Sequence, residues 1–214
     1  VGVLETYLGR PEMDWARSSA MTELGNGLFR ATHYEDALAV REAQLSTLRR
    51  LSASERDMIR TQSNLATSYE MTGRCEALDM RRDMYSGYLR ILGEEHMNTL
   101  ITASNYAASL RVAERSVESK SLLRKMVPIA RRVLGDNAES TVRMRVTFAR
   151  ALYEDISATL DDLREAVATL EETARIARRV FGKGAHPIVS LIESSLPQSR
   201  IKLRARETPP PGSA

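Results

Sequence analysis

The sequence predicts an all-α protein built from stacked helix pairs, and three observations predict it. An apolar residue followed by a small turn residue recurs at Leu8-Gly9, Leu51-Ser52, Leu92-Gly93, Leu134-Gly135 and Phe181-Gly182, at intervals of 43, 41, 42 and 47 residues. A period of about 20–50 residues marks an array of supersecondary units, each burying its apolar face against its neighbours. A Gly after the last apolar residue of a helix takes a left-handed conformation without a Cβ penalty, so each mark is expected to end a helix. Between the marks, apolar residues such as Leu24, Leu28, Ala37, Leu38, Val40, Leu45 and Leu48 recur at the three- and four-residue steps of one helical face. Finally, 43% hydrophobic residues with only 5% aromatic and nine Met suit helices packed through Leu, Ala, Met and Val.

Taken in order, residues 1–17 read as the end of a helix whose beginning precedes the sequence, followed by a loop containing Pro11. The first pair spans about 18–51, with helices from Ser18 to Ala31 and Tyr34 to Leu51. Ser52-Ala53-Ser54-Glu55 has the Ser-x-x-Glu form of a capping box that opens the next helix. The second pair covers about 54–92 and turns at Gly73. The third covers about 97–134, with Pro128 expected to bend its second helix. The fourth covers about 138–181, and its extra length falls in Glu154–Asp162, a lengthened turn with Thr159 as N-cap. His186-Pro187 opens a capping helix over 186–206, because Pro at the first helical position loses no hydrogen bond. Pro197 is expected to kink or interrupt that helix. Residues 207–214, with Pro209-Pro210-Pro211, read as a disordered tail.

Composition narrows the partners. Lys and Arg number 31 against 28 Asp and Glu, a net charge of +3, and the sequence pI is ≈ 9.2. This excess is spread along the chain rather than clustered as a phosphate-tracking surface requires, so nucleic acid is set aside as partner. Cys75 is the only cysteine, which excludes an intramolecular disulfide and permits a reducing compartment. No run of about 18 apolar residues is present for a membrane span, and no secretory signal is visible. The expectation is an intracellular, cytoplasmic protein. The first residue is Val rather than Met, which leaves room for a preceding segment and for organelle import.

Aligning the pairs gives Leu24-Gly25-x-x-Leu28, Leu65-Ala66-x-x-Tyr69, Tyr106-Ala107-x-x-Leu110 and Phe148-Ala149-x-x-Leu152, followed in the second helices by Ala37, Ala77, Ser119 and Ala166. A large residue beside a small one, with another small residue about a dozen on, is what close helix crossing needs. These positions resemble the tetratricopeptide repeat (TPR) over nearly all of residues 18–182. The longer period, with Asn64-Leu65-Ala66, Asn105-Tyr106-Ala107, Leu92-Gly93-Glu94-Glu95-His96 and Phe181-Gly182-Lys183-Gly184-Ala185-His186-Pro187, is similar to the roughly 42-residue repeats of kinesin light chains. Ser116 and Ser119 depart from the usual aromatic and small residues. The resemblance implies a right-handed α-α superhelix, a solenoid of antiparallel helix pairs whose first helices line a concave groove.

Catalytic constellations are not found in the sequence, and no cofactor, metal or small-molecule substrate is expected. His96 and His186 stand just before helix starts, where packing and capping explain them, and His33 lies in a turn. Cys75 reads as a core thiol at the position Val117 holds one repeat later. Gly25-Asn26-Gly27 lacks the preceding strand and the spacing of a phosphate loop. Mapped through the resemblance, the groove receives Thr22, Glu23, Asn26 and Arg30, then Arg60, Ser63, Asn64 and Thr67. It then receives Ser104, Asn105, Ala108 and Arg111, and finally Arg143, Thr147 and Arg150. Asn64 and Asn105 share a repeat position, from which an amide can bracket a peptide bond of an extended ligand or hydrogen-bond between neighbouring helices. The five arginines make the groove net basic even with Glu23, Glu70 and Glu154 nearby, and guanidinium forks suit carboxylates. A carboxylate clamp of the chaperone-binding kind is rejected, since Thr22, Ile101 and Asn105 occupy its basic positions.

The function expected is therefore a non-catalytic protein-interaction scaffold holding an extended, acidic or C-terminal partner segment in the groove. The alternative is a structural brace acting through convex faces and array ends, with end-to-end self-association or membership of a larger complex. Helical-repeat RNA binding is the least favoured, for want of a basic code position and stacking aromatics in each repeat.

Overall fold

The computed structural model describes residues 11–74, 76–182 and 186–208. The described residues form nine helices and no strand: α1 (Pro11–Arg30), α2 (Tyr34–Arg50), α3 (Glu55–Met71), α4 (Glu76–Leu92), α5 (Met97–Val112), α6 (Ser116–Leu134), α7 (Glu139–Glu154), α8 (Leu160–Phe181) and α9 (Pro187–Glu207). They fall into two compact units, Val1–Met84 and Tyr85–Ala214, divided within α4. The helix end expected over residues 1–8, Cys75 and the tail beyond Thr208 lie outside the described residues. Val117, the counterpart used to place Cys75 in the core, is exposed.

Local signals position the helix ends, with corrections. The loop expected around Pro11 is helix: α1 begins at Pro11 rather than Ser18, since a first-turn Pro forfeits no intrahelical bond. The cap of α3 is Ser54, two residues beyond the expected Ser52, and the reciprocal half of a capping box is not formed. Ser54 Oγ accepts the Asp57 amide at 3.2 Å and donates to Asp57 Oδ2 at 2.6 Å. Ser52 cannot serve, because it takes φ 48° to end α2 and an N-cap is extended. Thr159 caps α8 in a reciprocal box with Asp162. His96 and His186 cap α5 and α9, their Nδ1 atoms accepting from the amides of Asn98 (3.1 Å) and Ile188 (3.3 Å). Pro197 does not interrupt α9, and α6 likewise continues through Pro128. Both prolines lie on exposed positions, where the carbonyl each one frees can turn to water.

The recurrent marks end helices by a more restrictive geometry than expected. Gly135 and Gly182 adopt φ/ψ of 85°/158° and 80°/−173°, outside the left-handed helical well and in a region that is essentially glycine-only. A Cβ at either would meet nothing within 4 Å, so the constraint is conformational rather than steric. The turns inside the first three pairs repeat as well: Thr32, Gly73 and Glu114 have φ of 65°, 69° and 60°. Only one of the three is glycine.

Packing depends on the small residues. Ala66, Ala107 and Ala149 are fully buried, as are Ala37, Ser119 and Ala166, and Ala77 is nearly so. Ser119 Oγ donates to the Ala107 carbonyl at 2.8 Å, tying α6 to α5 at the crossing. In the second unit each helix packs on the next, and α7 also packs against α5 and α9. The first helices therefore form one layer over a core of residues such as Leu100, Leu123, Met126, Leu152, Leu170 and Ile192. Ion pairs and a hydrogen bond reach across one repeat: Lys120–Asp162 (3.2 Å), Arg124–Glu165 (2.7 Å) and Arg179–Asn137 (2.9 Å), at offsets of 42, 41 and 42 residues.

The first unit has a different interior. Four residues after each small second-helix residue stand Arg41, Arg81, Leu123 and Leu170, all buried. Arg41 Nη1 donates to the Asn64 carbonyl (2.9 Å) and Ser68 Oγ (2.6 Å), and Nη2 to Asn26 Oδ1 (3.2 Å). Its guanidinium lies 4.8 Å from the Phe29 ring centroid, and burial lowers its pKa. Arg81 pairs with Glu70 at 3.2 Å and donates to Thr67 Oγ1 at 2.9 Å. Leu24, expected on the apolar face, is 54% exposed. Its neighbour Gly25 makes the close approach instead, and a Cβ there would lie 3.3 Å from Arg41 Cγ.

Replacing Thr32 or Glu114 by Gly is expected to stabilise the chain by about 1 kcal/mol by relieving the left-handed backbone. Gly135→Ala is expected to destabilise it by about 1–3 kcal/mol. Urea unfolding of the three variants beside the parent checks both signs.

Candidate partner-binding faces on the first helices

In the first unit, α1 and α3 border a cleft of ≈ 310 Å³. Residues Trp15, Ser18, Ser19, Thr22 and Glu23 supply the α1 side, Leu48 comes from α2, and Asp57 and Arg60 come from α3. The α1 residues follow the three- and four-residue spacing of one helical face. Gln44 of α2 fixes this stretch from behind, donating to Thr22 Oγ1 at 2.6 Å and to the Ser18 carbonyl at 3.1 Å. Asp57 carries two duties at the rim, capping α3 with Ser54 and pairing with Arg60 at 3.3 Å.

The structure divides the expected groove residues of this unit into committed and open groups. The Asn26 amide oxygen and the Asn64 carbonyl are held by Arg41. Thr67 donates to the Ser63 carbonyl (3.0 Å) and accepts from Arg81. Arg60 is exposed but paired with Asp57. Arg30 is exposed, with no carboxylate paired to it among the described residues. Tyr69, also on α3, donates to Glu42 Oε1 at 2.7 Å. Burial, followed by that hydrogen bond and charge, pushes its pKa up to about 12.

In the second unit, α5 and α7 bring Arg111, Arg150 and Glu154 together. Arg111 Nη1 lies 2.5 Å from Glu154 Oε2, and Arg150 Nε lies 2.8 Å from Glu154 Oε1. Arg111 Nε is buried without a hydrogen-bond partner. Burial pushes the Glu154 carboxyl up. The hydrogen bonds and charges of Arg150 and Arg111 override this, and the net pKa lies below the ordinary glutamate value. Arg143 pairs with Glu139 at 2.6 Å and stays half-exposed. Thr147 is buried, donating to the Arg143 carbonyl at 3.0 Å. Asn105 is half-buried on α5, and Ser104 beside it is buried. The three arginines of this face thus meet two carboxylates, and its basic surplus is smaller than the arginine positions alone imply.

Two participants escape sequence reasoning. Trp15 is 43% exposed in the cleft, and a helix starting at Ser18 leaves it out. Glu154 is expected near the groove, but its double pairing is not visible in its neighbours. The available signal is opposite charge at a one-repeat offset, since Arg111 and Glu154 are 43 residues apart. Among the described residues no group of His, Cys, Asp and Glu is placed to hold a metal ion, and no helix is long and apolar enough to cross a membrane.

Solved structures with this architecture exist. A point-substituted form of a Podosopora anserina putative kinesin light chain with nearly identical TPR-like repeats matches at TM-score 0.71 and 19% identity, over 89% of each chain. A second structure of a Podosopora anserina putative kinesin light chain with such repeats matches at TM-score 0.68 and 18% identity, over 93% of this chain and 90% of that one. BtubC from P. vanneervenii matches at TM-score 0.60 and 12% identity, over 98% and 89%. No protein-family model matches the sequence, and no match is found among curated proteins. At these identities the likeness is one of fold: the chain is a TPR-like solenoid of antiparallel helix pairs.

Glu154→Gln is expected to lower stability at neutral pH by about 1–3 kcal/mol, by leaving two partly buried guanidinium groups without their carboxylate. A carboxyl with a lowered folded pKa contributes stability above its unfolded pKa and loses it as pH falls through the folded value. The melting-temperature gap between parent and variant should therefore narrow below about pH 4. Thermal unfolding across that range checks it.

Proposed function

We propose that this chain is a non-catalytic scaffold whose first-helix faces bind an extended segment of a protein partner. The helices are read as four repeats, at about 18–51, 54–92, 97–134 and 138–181, with a capping helix over 186–206. The observation that carries the proposal is the convergence of Arg111, Arg150 and Glu154 beside half-exposed Arg143 on α5 and α7. A partly buried cluster with a buried, unpartnered Arg111 Nε is poised for carboxylate exchange. An incoming carboxylate can take the guanidinium donors that Glu154 and Glu139 occupy. This favours an acidic segment, bracketed by the Asn105 amide and paired with Arg143 and Arg150. On the first unit, Asn64 and Arg30 offer the equivalent groups, with Asn26, Arg60 and Thr67 as already committed supports.

A second reading, a structural brace acting through convex faces and array ends, draws on one observation. Ile156, in the lengthened turn, is 95% exposed, and that turn is tied together by its own side chains. Asp155 Oδ1 accepts from the Ser157 amide and hydroxyl at 2.8 and 2.7 Å, and Lys120 reaches both Asp155 (3.6 Å) and Asp162 (3.2 Å).

Two variants test the groove. Asn105→Ala with Arg143→Ala is expected to weaken binding of a fluorescein-labelled glutamate-rich peptide about tenfold or more, with little change in melting temperature. Glu154→Gln is expected to tighten binding severalfold while lowering stability, because it removes the competing carboxylate. Fluorescence anisotropy with a lysine-rich peptide as control reads both. Unchanged affinity in the double variant rules out this face as the site.

A further inference from the structure

The cleft between α1 and α3 has a chemistry unlike that of the arginine-bearing face on α5 and α7. Its one large aromatic is Trp15, the only tryptophan of the chain, and 43% of that residue is exposed. The α1 residues one turn further on are Ser18 and Ser19, whose short side chains leave the cleft open beside it. Glu23 closes the α1 side and is exposed, with no cation paired to it among the described residues. Asp57 is the second carboxylate, and Arg60, already bound to it, is the only cation of the lining among the described residues. Asp14, next to Trp15 in sequence, is buried and satisfied by Arg17 (3.5 Å) and Arg50 (3.1 Å), so it adds no free charge. Among the described residues the lining therefore combines an accessible indole with a net negative charge.

An indole with room beside it takes a guanidinium or ammonium group through its ring quadrupole, and a free carboxylate takes a second cation. Trp15 and Glu23 are eight residues apart on one helix, about 12 Å along its axis. An extended chain advances about 3.3 Å per residue and returns to the same side every second residue, so residues about four apart match that span.

We propose that this cleft docks a basic, extended segment of a partner protein, with one Arg or Lys side chain stacked on Trp15 and a second, about four residues away, paired with Glu23. The cleft shares Arg60 with the first-unit supports named above, but it contains none of Asn105, Arg111, Arg143 and Arg150 of the second unit and stands or falls without that face. Each contact is of the size that changes affinity about two- to fivefold at an exposed position, so the subsite adds selectivity to binding supplied by a longer segment.

Trp15 reports directly, since its emission is the only tryptophan signal. The probe is a blocked Gly/Ser peptide with two arginines four residues apart, with controls carrying glutamates at the same positions or the two arginines side by side. The spaced-arginine peptide is expected to shift Trp15 emission saturably, to weaken as salt is raised, and to bind about two- to fivefold more weakly to Glu23→Gln. The Asn105→Ala, Arg143→Ala double variant is expected to bind it as the parent does, which separates this proposal from the groove proposal. Glu23 is exposed, so its substitution leaves the fold in place, and melting temperature verifies that. An emission change no larger than with the glutamate peptide, or undiminished affinity in Glu23→Gln, overturns the proposal.

Discussion

Close crossing of the two helices in each pair is the constraint on which the remaining structure depends. It is met by a small residue on each partner, Ala66, Ala107 and Ala149 on first helices and Ala37, Ala77, Ser119 and Ala166 on second helices. A larger side chain at any of these points would push the backbones apart and expose the ridges of Leu, Met and aromatic residues that fill the grooves. The Ser119 hydroxyl on the Ala107 carbonyl shows how near the backbones come, since a Ser side chain spans the gap. Once a pair crosses this closely, the outward side of its first helix is fixed in direction. That is what gives α5 and α7 a defined polar face.

Much of this is legible in the sequence because it is local. Turn marks, the capping histidines, the Thr159 cap and the small-residue pattern need only neighbours within a few residues. What is not legible depends on partners on other helices, 15 to 43 residues away. Arg41 and Arg81 look in sequence like members of a solvated face, yet Arg41 is buried by acceptors from another helix, the Asn64 carbonyl and Ser68 Oγ. Nothing near Arg41 in the chain announces them. The candidate site suffers likewise: Asn26 reads as a free amide until Arg41 is seen to hold it. Glu154 reads only as an acid near the groove until it is seen to pair with both Arg111 and Arg150. Trp15 is hidden by the position of Pro11, which reads as a loop residue but opens α1.

The ion pairs across one repeat carry a modest energetic weight. Pairs such as Arg124–Glu165 are largely exposed, and exposed pairs contribute about 0–1 kcal/mol each. Their value lies in register: the cation of one repeat meets the carboxylate of the next only when the helices are stacked without slippage. Lys120, shared between Asp155 and Asp162, is the one of these ties that is mostly shielded from water. Burial raises both carboxyls, and the Ser157, Thr159 and Lys120 hydrogen bonds override it to leave both pKa values lowered.

The central claim is that first-helix faces, rather than second-helix faces, meet the partner. Site-specific photocrosslinking addresses it most directly, with a benzophenone side chain at Ala108 on α5 or at exposed Arg175 on α8, each protein being irradiated in lysate of the source cells. Adducts formed from Ala108 and competed away by unlabelled parent protein, with none from Arg175, are the predicted result. Adducts from Arg175 alone would contradict the claim and transfer the function to the second helices.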